Sequence, residues 1–211
     1  MLLAACGGGG GGGGRPPPDP TNSFSLAEFN STTVGTVYTT SLKGSDTNGV
    51  SYTGSISLAN RAQIMLGGIL VTPRDALLNI TGGGLSITDT STSYTDSSGL
   101  FVGLAVQTDT GLVCTPVSPD KLPSSVKIGD FGVRSTLICD DNTTWEGNWR
   151  VEDAGNGEVD FVTSTTIKDQ FNTILRTVDL AYRLDGASQI AGFTYSSTIL
   201  ASGYGQSLES V

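Results

Sequence analysis

Trp145-Glu146-Gly147-Asn148-Trp149-Arg150-Val151-Glu152 alternates without a break. Trp145, Gly147, Trp149 and Val151 fall on one side, and Glu146, Asn148, Arg150 and Glu152 on the other. Successive side chains of a strand point to opposite faces, so this pattern describes a strand with one face buried and one in water. Ala154-Gly155-Asn156-Gly157 then turns the chain, and Val159 and Phe161 resume the inward face. A strand, a tight turn and a second strand predict an antiparallel hairpin.

The same reading extends in both directions. Leu137 to Cys139 precedes the turn Asp140-Asp141-Asn142. Val178, Leu180, Tyr182 and Leu184 alternate against Asp179, Ala181, Arg183 and Asp185, and a final strand carries Ala191, Phe193, Tyr195 and Ile199 on its inward face. Toward the amino terminus, Thr36 to Leu42 alternates before Asp46-Thr47-Asn48-Gly49, where Asn-Gly signals a hairpin. Tyr52, Gly54, Ile56 and Leu58 share one face of the next strand. Leu85 and Ile87 precede the turn Asp96-Ser97-Ser98-Gly99, and Val102, Leu104 and Val106 follow it. The expectation is an all-β domain of about ten strands, an antiparallel meander closed as a barrel or folded as a sandwich.

Two short helices are expected to interrupt the meander. Thr72-Pro73-Arg74-Asp75 offers a capping hydroxyl, a proline at the first helical position and a carboxylate in the first turn, followed by Ala76-Leu77-Leu78. A strand over Leu77 to Thr81 competes with it. Thr166-Ile167-Lys168-Asp169 repeats the arrangement, with Phe171 and Ile174 inward. At this offset of 94 (Thr72 to Thr166), Asp75 matches Asp169, Leu77 matches Phe171, Ile80 matches Ile174, Gly35 matches Gly129 and Asp46 matches Asp140. That hints at an internal duplication, with halves over 32–115 and 124–211.

Ahead of the β-rich region lie Leu3-Ala4-Ala5-Cys6, the glycine run Gly7 to Gly14, and Arg15-Pro16-Pro17-Pro18-Asp19-Pro20. Glycine orders nothing, and clustered prolines are extended, so the stretch reads as a tether spanning on the order of 25 Å. Leu-Ala-Ala-Cys resembles the lipobox of bacterial lipoproteins, and the glycine tether after the cysteine resembles the surface lipoproteins of Gram-negative bacteria. The resemblance covers residues 3–20. It implies lipidation of Cys6, a signal-peptide remnant over 1–5, a lipidated tether over 6–31 and the β-rich domain over 32–211. Only Met1-Leu2-Leu3 precede the small residues, so the charged and apolar regions of a signal peptide are expected upstream of this start. With Gly7 rather than Asp after the cysteine, the resemblance implies retention at the outer membrane. Some tethered lipoproteins of this kind carry barrels that bind host proteins, but their glycine- and phenylalanine-rich repeats are absent here.

Composition narrows the function classes. The 211 residues carry a net charge of −9, with eleven scattered Lys and Arg, so nucleic acid is not an expected partner. No stretch approaches the roughly 20 apolar residues of a spanning helix, so membrane attachment is expected only through the Cys6 lipid. There is no histidine, which removes the commonest general base and metal ligand. No cofactor is expected: Gly82-Gly83-Gly84 and the tether lack the lysine of a phosphate-binding loop. In an oxidising envelope Cys114 and Cys139 are expected to pair, two free buried thiols being the rival reading.

Three constellations remain. Asp130, Asp140, Asp141, Glu146, Glu152, Asp153, Glu158 and Asp160 crowd one region. They are read as solvated turns and an outward strand face, against a calcium site whose spacing matches no EF-hand loop. Trp145 and Trp149 are read as core, against an exposed platform for sugar rings. Ser118-Pro119-Asp120-Lys121-Leu122-Pro123-Ser124-Ser125 is the longest irregular stretch, either a functional loop or a proline-braced crossover. The leading functional expectation is a lipid-anchored, non-catalytic interaction or structural module binding an envelope protein, a surface protein or a polysaccharide. Its rivals are a lipocalin-like carrier of an apolar ligand and a carboxylate-dependent hydrolase. No catalytic or metal-binding residue is assigned. The anchor makes a direct prediction. Native protein extracted from the source cell's membranes should have an intact mass that begins at Cys6 and includes a lipid. An unmodified chain beginning at Met1 would remove the anchor and every envelope function built on it.

Overall fold

The structure is a computed structural model that describes residues 22–27, 29–107 and 111–211. Cys6 and the tether as far as residue 21 lie outside the described residues. Every regular element among the described residues is a strand: β1 (Phe24–Ser25), β2 (Gly35–Asp46), β3 (Ser51–Asn60), β4 (Ile64–Leu66), β5 (Ile69–Gly82), β6 (Leu85–Asp96), β7 (Phe101–Gln107), β8 (Leu112–Pro116), β9 (Ser125–Val126), β10 (Phe131–Val133), β11 (Leu137–Cys139), β12 (Thr144–Gly155), β13 (Glu158–Lys168), β14 (Ile174–Leu184), β15 (Ile190–Ile199) and β16 (Tyr204–Ser210). Twelve of them close into one barrel. The ring runs β2-β3-β5-β6-β7-β8-β11-β12-β13-β14-β15-β16 and returns to β2. Each ring strand pairs antiparallel with its neighbours, for example Trp149 opposite Thr163 and Leu208 opposite Gly44. Closure leaves no sheet edge in the ring. The meander is therefore a barrel, not a sandwich.

Turn chemistry explains why neighbours in sequence become neighbours in the ring. Four hairpins repeat one device: an Asp at the end of the first strand, then a three-residue loop closed by a residue of positive φ. Asp46, Asp96, Asp169 and Asp185 each accept the backbone N–H groups two and four positions ahead, for instance Ser98 and Leu100 on Asp96 at 2.8 and 2.9 Å. The closing residues are Gly49, Gly99, Asn172 and Ser188, at φ between 64° and 83°. A type I turn followed by one left-handed residue gives this three-residue loop. The Asn48-Gly49 pair therefore does not supply two left-handed residues, as its sequence suggested; only Gly49 does. Asn156-Gly157 does form the two-residue mirrored turn, with φ of 57° and 82°.

Neither expected helix exists. Thr72 to Leu78 is the first half of β5, flanked by β3 and β6. Pro73 is fully buried where β3 has just ended, so its missing N–H breaks no ladder. Thr166 to Lys168 finishes β13, and Asp169 caps the following turn. Phe171 is therefore 79% exposed at a loop tip and Ile174 points outward instead of into a core. At the offset of 94, Asp75 lies within a strand where Asp169 caps a turn. More coarsely, residues 35–116 supply six consecutive ring strands and residues 137–210 the other six. Ala191 is exposed as well. A register shift at Arg183 and Leu184 places Leu184 opposite Ile190, so Ile190 packs against the core in its place.

The two half-rings meet at two seams. One joins β2 to β16 over five residue pairs. The other joins β8 to β11 over three: Leu137 with Pro116, Ile138 with Thr115, and Cys139 with Cys114. A disulfide links Cys114 to Cys139 across this shorter seam. Leu112, Leu137, Leu104, Val106 and Trp145 pack around it.

One end of the barrel is plugged by the chain's own amino-terminal segment. β1 pairs with β9, burying Phe24, Leu26 and Val126 in the main core. Ser25 N–H donates to the Ser188 hydroxyl in a turn at this end, 2.9 Å away. The Phe29 ring lies 5.2 Å from Phe161 and 4.9 Å from Tyr182. Two inward polar residues fix this segment. Arg74 donates to the carbonyls of Phe29 and Ser31 and to Asn60 Oδ1, at 2.8, 3.0 and 2.8 Å. Asn60 donates to the carbonyls of Ser31 and Thr33. The fold thus starts earlier than the boundary expected at residue 32, because Phe24 and Leu26 have apolar surface to bury and Arg74 holds the backbone between.

Two outcomes follow. Removing the disulfide by Cys114→Ser with Cys139→Ser frees a loop with a sequence separation of 25. That should cost about 3–4 kcal/mol in the chain-entropy model and lower the melting temperature by roughly 10 °C in calorimetry. An unchanged melting temperature would show that the seam holds without it. The second concerns acid. The Ser98 hydroxyl and amides of Leu100, Ser98 and Gly99 hold Asp96 below the ordinary carboxylate value of 3.8. Burial alone would raise Asp46, but the amides of Val50 and Asn48 and the Tyr52 hydroxyl hold it below that value too. A carboxyl whose folded value is depressed stabilises the fold above its unfolded value and loses that contribution as pH falls through the folded value. Thermal stability should therefore drop below about pH 4, and the drop should be shallower in Asp46→Asn/Asp96→Asn. Parallel curves for the two proteins would refute the assignment.

Candidate functional site

Closing twelve strands makes a ring wider than its side chains fill, and the lumen keeps open space. Two adjoining chambers occupy it, of about 330 Å³ and about 280 Å³. They share Phe101, Arg134, Leu180 and Tyr182 in their walls. The smaller lies against the plug, reaching Phe29, Ser31 and Leu122. The larger is half-enclosed and reaches the opposite end, toward Asp89, Ile167 and Arg176 near the far ends of their strands.

The larger chamber is mainly apolar. Ile56, Leu78, Val106, Leu137, Ile167 and Val178 contribute aliphatic surface from six strands, all on the inward rows. Gly147 lets Arg134 lie close against β12: a Cβ there would come within 2.8 Å of the Arg134 Cβ. Volume and lining fall within the range of small-molecule pockets, mostly hydrophobic with a few placed polar groups.

Three charged side chains line it: Asp89, Arg134 and Arg176. Arg134 is committed elsewhere, its Nε lying 2.5 Å from Asp120 Oδ2 and its guanidinium 5.5 Å from the centre of the Phe101 ring. Arg176 is different. It donates from Nε to the Ser197 hydroxyl at 2.6 Å and from Nη2 to the Tyr195 hydroxyl at 2.5 Å. Neither acceptor is charged, and Arg176 forms no ion pair among the described residues. A guanidinium carries five N–H donors, so the two hydroxyls orient it and leave donors over for a ligand. Asp89 likewise forms no ion pair among the described residues. Tyr182, at the waist between the chambers, has its phenol pushed up to about 12 by burial, partly offset by the charge of Arg74, and is neutral at ordinary pH.

The residues singled out from sequence fall as follows. Trp145 and Trp149 both point inward. Trp149 packs 5.9 Å from Phe161 and covers Gly132 opposite it on β10. Trp145 lines the large chamber, its indole N–H donating to Thr143 Oγ1 at 3.1 Å. The acidic group is dispersed over turns and the outer wall. Asp130, Asp141 and Asp153 accept nearby backbone N–H groups, and Asp140 accepts that of Val113. Glu146 pairs with Lys168, Glu152 with Arg150, and Asp160 and Glu158 with Arg183. Among the described residues no three of Asp, Glu and Cys converge as metal ligands. The 118–125 stretch crosses the plugged end: Asp120 accepts from Phe101 N–H and pairs with Arg134, while Leu122 enters the core. Gly83-Gly84 is a tight turn between β5 and β6.

Arg176, Arg74 and Asn60 were not anticipated. Arg176 keeps the phase of Val178, Leu180 and Tyr182, so the alternation itself marks it as inward. Asn60 likewise continues Ile56 and Leu58. Arg74 was hidden by the helix reading of its segment. No protein family matches the chain, and neither does a curated protein or a solved structure.

Proposed function

We propose that the protein is a lipid-anchored envelope component, held at the outer membrane through Cys6, whose barrel is a non-catalytic binding module for a small amphipathic ligand. The observation that carries this reading is the 330 Å³ chamber, mainly apolar in its lining and fitted with the oriented guanidinium of Arg176. An apolar ligand body would displace poorly satisfied water from the aliphatic walls. An anionic end group would meet Arg176, and a buried guanidinium–carboxylate contact is among the stronger charge-assisted hydrogen bonds. Asp89 on the facing wall favours a ligand that carries one acidic end rather than several. This is the carrier reading, set ahead of the interaction module by the free space in the lumen. Transfer of an apolar molecule needs no acid, base or nucleophile, which agrees with a lumen whose carboxylates are only Asp89 and the Arg134-bound Asp120 among the described residues.

A second reading rests on the outer wall. β10 pairs only with β12, so its other edge is unpaired, and Phe131 and Val133 are 81% and 84% exposed. An envelope or surface protein could add a strand there.

The test is a titration with 8-anilinonaphthalene-1-sulfonate, an amphipathic anion, followed by competition with straight-chain carboxylates. One saturable site is expected, with tryptophan quenching through Trp145. Arg176→Gln should weaken the carboxylate by about tenfold, as for one charge-assisted contact, and leave a neutral alcohol of equal chain length unaffected. Leu78→Trp, which fills the chamber, should abolish both. Absence of saturable binding, or binding indifferent to both substitutions, would overturn the carrier reading.

A further inference from the structure

The least explained apolar surface of the barrel is a small hairpin. β4 pairs with the start of β5, Ile64 opposite Val71, Met65 opposite Leu70 and Leu66 opposite Ile69. Gly67 and Gly68, at φ of 57° and 85°, make the two-residue mirrored turn between them. Ile64, Met65, Leu66, Ile69 and Leu70 are 41–64% exposed, on both faces of the hairpin. No charged residue occurs from Ala62 to Pro73. The hairpin also stands clear of the barrel. β6 ends at Asp96, opposite Val71, so the pairs Met65–Leu70 and Leu66–Ile69 project beyond it. Contiguous exposed apolar surface of this kind marks a contact with something apolar.

Its position says with what. The hairpin leaves the barrel at the plugged end. Its base, where Arg61 N–H donates to the Pro73 carbonyl, adjoins Asn60 and Arg74, the two residues that grip Phe29, Ser31 and Thr33. The described chain begins at this same end, with β1 beside the Asp185–Gln189 turn. Cys6 lies sixteen positions before Asn22. Given the anchor proposed above, on which this step rests, the membrane faces the end from which the hairpin projects.

We infer that the β4–β5 hairpin is a membrane contact, whose tip enters the surface of the bilayer to which the chain is anchored. Three residue pairs and a turn reach about 10 Å, near the depth at which apolar faces settle at the boundary between headgroups and acyl chains. The insertion stays shallow for a physical reason. The outer edge of β4 is unpaired, and unsatisfied backbone groups are excluded from the hydrocarbon interior. No cation is involved, so the contact suits zwitterionic lipid. The anchor keeps the hairpin near the surface, and five side chains then suffice to fix the barrel's orientation.

The experiment uses the full chain. With Cys114 and Cys139 in their disulfide, Cys6 is the free thiol, and it couples to phosphatidylcholine vesicles bearing a maleimide headgroup. This chemical tether replaces the biological lipid, so the result does not depend on whether Cys6 is lipidated in the cell. Loss of the anchor reading would show only in the intact mass. Tryptophan fluorescence of Met65→Trp is then read against lipid brominated near the glycerol end of the acyl chain. Quenching should be at least about threefold stronger than for Phe171→Trp, at the opposite end of the barrel. Adding Ile69→Asp and Leu70→Asp should abolish the difference. These positions are exposed, and an unchanged melting temperature verifies the fold of each variant. Equal quenching at the two ends would overturn the inference. So would a blue-shifted emission of Met65→Trp without vesicles, together with a dimer in sedimentation equilibrium, since a second copy would then be the occupant.

Discussion

The barrel depends on closure at its weakest seam. Ten of the twelve ring contacts join strands that follow each other within a half, most of them through hairpin turns. The remaining two join the halves. Of these, β2 with β16 is the longer. β8 with β11 has only three residue pairs, and past them the chain leaves the ring for the crossover over 117–136. Open that seam, and β8 and β11 each become an edge, while the chambers lose a wall that includes Leu137 and Leu104. The covalent link between Cys114 and Cys139 acts at this point, the shorter of the two joins between the halves. The site and the disulfide are therefore one problem: space in the lumen exists only while the ring stays shut.

A wide ring creates a second problem, which is how to fill it. Around β2, β3 and β16 the lumen is filled by Leu42, Tyr52 and Leu208. Close approach is allowed by glycines on neighbouring strands; a methyl on Gly44, Gly54 or Gly82 would collide with the backbone of Ser207, Asn79 or Ser51. Opposite, β6 and β13 offer the small side chains of Ser91 and Thr163 inward, and there the space remains. Packing is thus asymmetric, solid on one side and hollow on the other. Two of the lumen's charged side chains are anchored, Arg134 on Asp120 and Arg176 on two hydroxyls.

The fold was largely legible because the meander is local. Most ring strands pair with the next through a short turn, so alternation and turn residues within a hairpin suffice, and Trp145 to Glu152 followed by Ala154 to Phe161 reads as it folds. The failures have particular causes. At Thr72-Pro73-Arg74-Asp75 the capping residues are real, but Pro73 stands where β3 has ended and its lack of an N–H is harmless, so the local signal yields to pairing with β6. At Ala191 a register shift reverses the phase, and nothing in the alternation announces it. The chamber was less legible. Residues such as Leu78 and Val178 line it from opposite sides of the ring, and that convergence depends on strand order. Arg176 was readable in phase, but its isolation from carboxylates becomes evident only once the ring is closed.

The plug has a mechanical meaning. Pulling on the amino terminus would load first the two-residue pairing of β1 with β9, and then the carbonyls held by Arg74 and Asn60. Both precede the ring in the path of the force. The β-strand at Gly35 begins a ladder of ten residue pairs with β3, which is far harder to shear. Tension would therefore peel the plug away residue by residue and unstop one mouth of an otherwise intact barrel. The segment would then behave as a cork drawn from the chain's own end, with the Arg74 guanidinium setting the force required.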